Sequence, residues 1–283
     1  MRSGIADDVI ERALAEDLGT GDVTTEAIVP VDAVVVAAVV VKAAGVVCGL
    51  AELLACVRLL DPGAEMELLA ADGDVLAIPP ATVARIRGRA QAVLTAERTG
   101  LNLVQRMSGI ATATRAYVDA VAGTGCRILH TRKTAPGLRA LDIAAVLAGG
   151  GTRHRMDLSH EVMVKDNHWQ AVVRGGGTLA GALTEARGRG VTALYVEVES
   201  LEQVDQACAA GATRLLVDNQ TPDTVRAWAR RARDQVPGIE IEATGGITLE
   251  NVRAYAEAGA DFVSVGALTH TVQAADLAVE VRV

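Results

Sequence analysis

From residue 193 onward, short runs of Val, Leu and Ile alternate with amphipathic stretches at a near-regular step. Residues 193–199 (ALYVEVE) predict a strand, and Ser200 then starts a helix with Gln203 three positions on as a capping box. A second strand is predicted over 213–218, followed by Thr221 as an N-cap and Pro222 at the first helical position. A third runs over 239–243 and leads through Thr244-Gly245-Gly246 to an N-cap at Thr248 and a helix to about Ala258. The fourth, 261–265, ends at Gly266. Upstream, strands at 127–131 and 161–165 flank a helix at 140–147. Strands alternating with helices at this spacing imply a parallel sheet, and the short connections favour a barrel or an open doubly wound sheet.

The first hundred residues read differently. An amphipathic helix is predicted near 7–17, a Val-rich run at 33–41, a helix near 51–60 and a turn-bounded strand pair around Asp72-Gly73. This pattern suits a separate α/β sandwich. A long helix over about 90–122, broken near Gly109, links it to the barrel. The expected division is 1–105 and 106–283, with the last residues returning to the N-terminal domain.

Composition narrows the class. Half the residues are hydrophobic but only 2% are aromatic, so the core is expected to be Val, Leu, Ile and Ala, as in buried parallel strands. A net charge of −8 with so few rings argues against nucleic acid as a partner. The apolar run at 33–41 is bracketed by Asp32 and Lys42 and is too short to span a bilayer. Asp7, Asp8 and Glu11 occupy the place of a signal peptide's apolar stretch. Cys48, Cys56, Cys126 and Cys208 lack metal or disulfide spacing. A cytoplasmic, soluble enzyme without membrane or nucleic-acid partners is the expectation.

Charge then locates the chemistry. Residues 130–169 carry six Lys or Arg (Arg132, Lys133, Arg139, Arg153, Arg155, Lys165) and four of the five histidines, against the acidic balance of the chain. Such a concentration of cations on Gly- and Pro-interrupted sequence points to an anion pocket. In a parallel β/α barrel the active site lies at the C-terminal strand ends. Those ends carry Glu197 and Glu199, Asp218-Asn219, Thr244-Gly245-Gly246 and Gly266. The glycine turns suit a phosphate, and the carboxylates suit a divalent metal or sugar hydroxyls. Singly, each has a plainer reading: a turn, an ion pair, a structural His154, a solvated Arg132-Lys133 pair. Together they suit a phosphorylated sugar and a second, anionic substrate.

Nine segments carry a resemblance: EDLGTGDVTT (16–25), AERTGLNLVQRMSGIAT (96–112), TRKTAPGLR (131–139), GGGTRHRMDL (149–158), VMVKDNH (162–168), VEVES (196–200), VDN (217–219), ATGGIT (243–248) and VGALTH (265–270). On these the chain resembles the quinolinate phosphoribosyltransferases nearly end to end. The resemblance implies an N-terminal α/β sandwich, an incomplete C-terminal parallel β/α barrel, and a homodimer or higher even oligomer whose N-terminal regions complete the neighbouring sites. It also implies Mg²⁺-dependent condensation of quinolinate with 5-phosphoribosyl-1-pyrophosphate, giving nicotinate mononucleotide, pyrophosphate and CO₂, a step of NAD biosynthesis. Thr131, Arg132, His154, Arg155 and Lys165 match positions for the acid substrate, and Arg98 matches the arginine given to the partner's site. Lys133 matches the lysine near the pyrophosphate. Glu197 and Asp218 match the carboxylates for ribose hydroxyls and metal. Thr244, Gly245, Gly246, Val265, Gly266 and Ala267 match the 5′-phosphate loops.

Three residues depart from the family pattern. His130 replaces an acid, Arg153 an Asn, and Gln220 a hydrophobic residue. The first two are expected to add positive charge beside the substrate cluster. They leave open a related transferase for another aromatic acid, or a sugar-phosphate-binding protein without turnover.

Overall fold

The computed structural model describes residues 4–282. Two compact units are interleaved along the chain. The first comprises Met1–Arg115, Lys133–Gly150 and Ala267–Val283, the second Ala116–Arg132 and Gly151–Gly266. Among the described residues no helix is long and apolar enough to cross a membrane.

Five strands open the first unit: β1 (Val34–Val41), β2 (Gly45–Val46), β3 (Glu65–Leu68), β4 (Val75–Leu76) and β5 (Ala81–Arg89). Six belong to the second: β6 (Arg127–Leu129), β7 (Val162–Val164), β8 (Leu194–Val198), β9 (Arg214–Asp218), β10 (Glu240–Thr244) and β11 (Phe262–Ser264). The last, β12 (Leu277–Arg282), belongs again to the first unit and pairs antiparallel with β1. Its four-stranded sheet has the order β12-β1-β5-β3. The Val-rich run is therefore a central strand, buried over 37–41.

Two expectations for this unit are corrected. The strands flanking Asp72-Gly73 exist but do not pair with each other: β3 pairs with β5 and β4 with β2. The turn is tied elsewhere, since Asp72 accepts from the Gly49 amide at 3.0 Å and Gly73 N–H donates to the Val47 carbonyl at 2.8 Å. The long helix, Ala90–Ala120, is unbroken at Gly109. A Cβ there would collide with the backbone of Gln273 and Ala274, so the glycine serves close approach rather than a break. Near the start of the same helix, Asp22 caps the helix Val23–Ile28 by accepting from Thr25 N–H and also accepts from the Thr95 hydroxyl, both at 2.9 Å.

In the second unit all pairings are parallel, in the order β6-β11-β10-β9-β8-β7. The first strand lies beside the last, which is the order of a barrel open between β6 and β7. The segment after Gly151 lies along that opening: Thr152 N–H donates to the Ile128 carbonyl at 2.7 Å and bridges Leu129 in parallel. An incomplete barrel results. Thr221 caps Pro222–Gln235 as its sequence predicts. Ser200 accepts from Gln203 N–H, but the Gln203 side chain reaches back to Glu199 N–H rather than to Ser200. The helix after β10 begins at Val252, not at Thr248, whose amide instead donates to Asn251 Oδ1 at 2.8 Å. Two helices, Asp166–Arg174 and Leu179–Gly188, have no counterpart in the sequence expectations.

The barrel interior is not wholly aliphatic. The Arg214 guanidinium lies 4.4 Å from the Tyr195 ring centre and 4.0 Å from that of Phe262, and pairs with Glu240 and Glu242. Glu242 is 1% exposed.

Candidate active site

Because the six strands are parallel, all their C-terminal ends lie on one rim. Thr131 and Arg132 follow β6, Lys165 follows β7, Glu197 stands one residue from the end of β8, and Asp218 ends β9. Thr244 ends β10 and leads into Gly245-Gly246, while Val265 and Gly266 follow β11. His154 and Arg155 come from the segment in the barrel's opening. The second unit thus gathers twelve of the predicted residues on one edge. Arg98, Lys133 and Ala267 belong to the first unit, the latter two adjoining Arg132 and Gly266 in sequence. Arg98 is exposed on the long helix. Lys133 is exposed, and its carbonyl accepts from the Thr269 hydroxyl at 2.9 Å.

Arg132 and Arg155 form a cationic pair. Burial and the adjacent Arg132 charge hold the Arg155 guanidinium below its usual pKa. Arg132 Nε is buried with no hydrogen-bond partner. Two like charges held close, one with an unanswered buried donor, are a receptor for a multiply charged anion.

The carboxylates stand next to them. Lys165 Nζ meets Glu197 Oε2 at 2.5 Å, with Glu197 only 8% exposed. Burial, and then the nearby Glu197 charge, raise the pKa of Asp218. Asn219 Nδ2 donates to Asp218 Oδ2 at 2.8 Å from a backbone at φ +52°, and its own N–H donates to the Thr244 carbonyl. Glu199 lies beyond the strand end and is exposed, so the two acids expected on one strand face differ in setting. Among the described residues no three His, Cys, Asp or Glu converge as a metal cage. Glu197 and Asp218 fit a Mg²⁺ whose other ligands are substrate oxygens and water, the usual way that ion is held.

Gly245 and Gly246 both adopt positive φ, +82° and +62°. A Cβ on Gly245 would overlap the Asn219 side chain and lie 2.9 Å from its backbone nitrogen, so this turn admits only glycine. The Gly245-Gly246 turn and the Asp218 loop are therefore packed on each other.

His130 overturns an expectation. It is fully buried, and burial pushes its pKa down to about 4, so it is neutral and adds no positive charge. Its Nε2 accepts from His154 N–H at 2.9 Å. Arg153 is exposed. Gln220 donates to the Asp218 carbonyl at 3.1 Å, and its own carbonyl accepts from Tyr255 OH at 2.8 Å, a local loop clasp.

Comparison with known proteins agrees with this arrangement. Residues 22–108 match the quinolinate phosphoribosyl transferase N-terminal domain and residues 110–280 the C-terminal domain of the same family. The chain belongs to the quinolinate phosphoribosyltransferase family. A probable carboxylating nicotinate-nucleotide pyrophosphorylase of Bacillus subtilis is 40% identical over 94% of this chain and 90% of that protein. The carboxylating nicotinate-nucleotide pyrophosphorylase of Mycobacterium leprae is also 40% identical, over 97% of this chain and 96% of its own. Among solved structures, the nicotinate-nucleotide pyrophosphorylase of Francisella tularensis superposes with a TM-score of 0.90 at 31% identity, covering 100% of this chain and 98% of that one. Both the sandwich and the open barrel are thus family features.

Sequence reasoning missed Glu242, Arg214, Tyr195 and Glu161. A signal was present for one of them: Glu242 alternates with Glu240 within IEIEA, where a strand buried on both faces should be uniformly apolar.

Proposed function

We propose that the chain is a carboxylating nicotinate-nucleotide pyrophosphorylase, transferring phosphoribose to the ring nitrogen of quinolinate with loss of CO₂. The observation that carries this reading is the Arg132–Arg155 pair with its buried, unanswered donor. It lies on the same strand-end rim as the Glu197 and Asp218 carboxylates and the Gly245-Gly246 turn. Vicinal carboxylates match two adjacent guanidiniums, with Lys165 as a third cation.

The chain's work is placement and electrostatics. Thr131, Arg132, Arg155 and Lys165 hold the diacid. Thr244, Gly245, Gly246, Val265, Gly266 and Ala267 receive the 5′-phosphate, and Glu197 and Asp218 receive the ribose hydroxyls. With the two held in line, the pyridine nitrogen attacks the anomeric carbon as its bond to the diphosphate oxygen breaks, and Lys133 stabilises the departing pyrophosphate. The C2–carboxylate bond then breaks, the ring takes up the electron pair, and C2 is protonated. Glu197 and Asp218 would hold a Mg²⁺, which would supply charge neutralisation for the leaving group. The exposed Arg98 suits a role in a partner subunit's site, and a dimer in the cytoplasm is the setting proposed.

Turnover of quinolinate with phosphoribosyl pyrophosphate and Mg²⁺, with nicotinate as control acid, tests the reading. Product from quinolinate alone is expected. Lys165→Ala should lower kcat/KM by about 100-fold with the fold retained, since a charge-assisted contact is worth about 1.5–3 kcal/mol. Equal activity in wild type and variant, or no product from quinolinate, overturns it.

A further inference from the structure

Lys133, the cation assigned to the departing pyrophosphate, is exposed and stands in the loop between β6 and the helix Arg139–Ala148. Residues 131–138 join no strand ladder and no helix, and Gly137 turns the chain at φ +80°. The backbone groups of such a loop need partners outside regular structure, and the lysine ammonium is placed no better than the main chain that carries it.

Two of those partners are buried side chains. The Lys133 carbonyl accepts from the Thr269 hydroxyl at 2.9 Å, and the Ala135 amide donates to Asp142 Oδ2 at 3.2 Å. Thr269 is 1% exposed and Asp142 is fully buried. Arg106, on the long helix Ala90–Ala120, joins the two. Its Nε donates to Asp142 Oδ1 and its Nη2 to Asp142 Oδ2, both at 2.8 Å, and Nη2 also donates to the Thr269 carbonyl at 3.1 Å. The contacts close a ring that grips the main chain on both sides of Thr134. Every member lies in the first unit. Thr269 also stands in the helix Ala267–His270, whose first residue is assigned to the 5′-phosphate. One hydroxyl therefore ties the segment for the 5′-phosphate to the segment for the pyrophosphate.

We propose that Thr269, Arg106 and Asp142 are positioning residues for Lys133, setting where its charge stands relative to the 5′-phosphate segment. The proposal rests on the reading of Lys133 as the pyrophosphate's cation. Asp142 orients Arg106 through two parallel hydrogen bonds, Arg106 holds the Thr269 carbonyl, and the Thr269 hydroxyl holds Lys133. Without the hydroxyl, the Lys133 carbonyl loses a fixed partner and its ammonium spreads over positions less suited to the leaving group. Misplacement of a charge by about 1 Å can cost about 100-fold in rate, so loosening one tie should cost about 10-fold.

The test is Thr269→Val, which removes the hydroxyl at nearly constant volume. The kcat/KM for phosphoribosyl pyrophosphate should fall about 10-fold, with the KM for quinolinate within about 2-fold. Thr269→Ser, which keeps the hydroxyl, should restore it. In a Lys133→Ala background the valine substitution should change kcat/KM by less than about 2-fold, because it acts through the lysine already removed. Calorimetric titration with inorganic pyrophosphate and Mg²⁺ should repeat this pattern in affinity. Unchanged kinetics in the valine variant overturn the proposal, as do equal losses with and without Lys133, which a purely structural role would give. If the valine variant does not fold, hydrogen exchange of the wild-type protein decides: an Ala135 amide exchanging as fast as an open loop overturns the anchoring. Absence of quinolinate turnover in wild type refutes the proposed function instead, while the pyrophosphate titrations still report on the tie between Thr269 and Lys133.

Discussion

Acid should destabilise this protein through His130, and the size of the effect follows from its burial. The side chain is fully buried with its Nε2 committed as an acceptor to the His154 amide at 2.9 Å. Burial moves its pKa from 6.5 to about 4. The unfolded chain therefore binds a proton that the folded chain refuses between those values, and stability must fall as pH falls through that window. From pH 7 to pH 5 the unfolded histidine goes from mostly neutral to almost wholly charged while the folded one stays neutral. At about 1.36 kcal/mol per pKa unit, this difference costs about 2 kcal/mol over that interval. Other groups titrate too, so the assay compares wild type with His130→Gln, whose amide oxygen can take the place of Nε2. Urea unfolding at pH 7 and pH 5 should show the variant gaining about 2 kcal/mol relative to wild type at the lower pH. Parallel pH profiles would refute the reasoning, because they would mean that His130 has the same proton affinity folded and unfolded.

Two further predictions concern packing within the first unit. Asp142 is fully buried and receives Arg106 through Nε and a terminal nitrogen, both at 2.8 Å, and also the Ala135 amide at 3.2 Å. Asp142→Ala leaves a largely buried guanidinium without its counter-ion and should cost about 3–5 kcal/mol in urea unfolding; a loss under about 1 kcal/mol would contradict the assigned geometry. Gly109→Ala should lower the melting temperature even though alanine favours a helix by about 1 kcal/mol, because the added carbon meets the Gln273 carbonyl rather than space. A variant more stable than wild type would show that the segment at 273 yields.

Much of the fold is legible along the chain because its signals are local. The 2-residue and 3.6-residue periodicities, the Thr221-Pro222 cap and the Ser200 cap depend on near neighbours, and the strands and helices they mark are where they were expected. The rim of the site is legible for the same reason: once the strands are parallel, residues at their C-terminal ends must share an edge. Gly245 was marked as a loop residue by type alone, although the reason for it, the Asn219 side chain, lies 26 positions away.

What tertiary structure decided involves partners far apart in sequence. Whether the strands around Asp72-Gly73 pair with each other depends on β2 and β5 being available to them instead. Whether Gly109 breaks a helix depends on a segment 164 residues later that packs against it. The charge state of His130 follows from complete burial beside the His154 amide, and sequence counted it as a cation. His154, a candidate ligand by sequence, also sits in a buried network because Glu242, on β10, lies within reach of its ring. Protonation and tautomer are set by desolvation and by the nearest donor or acceptor, and those are properties of three-dimensional surroundings that no residue carries by itself.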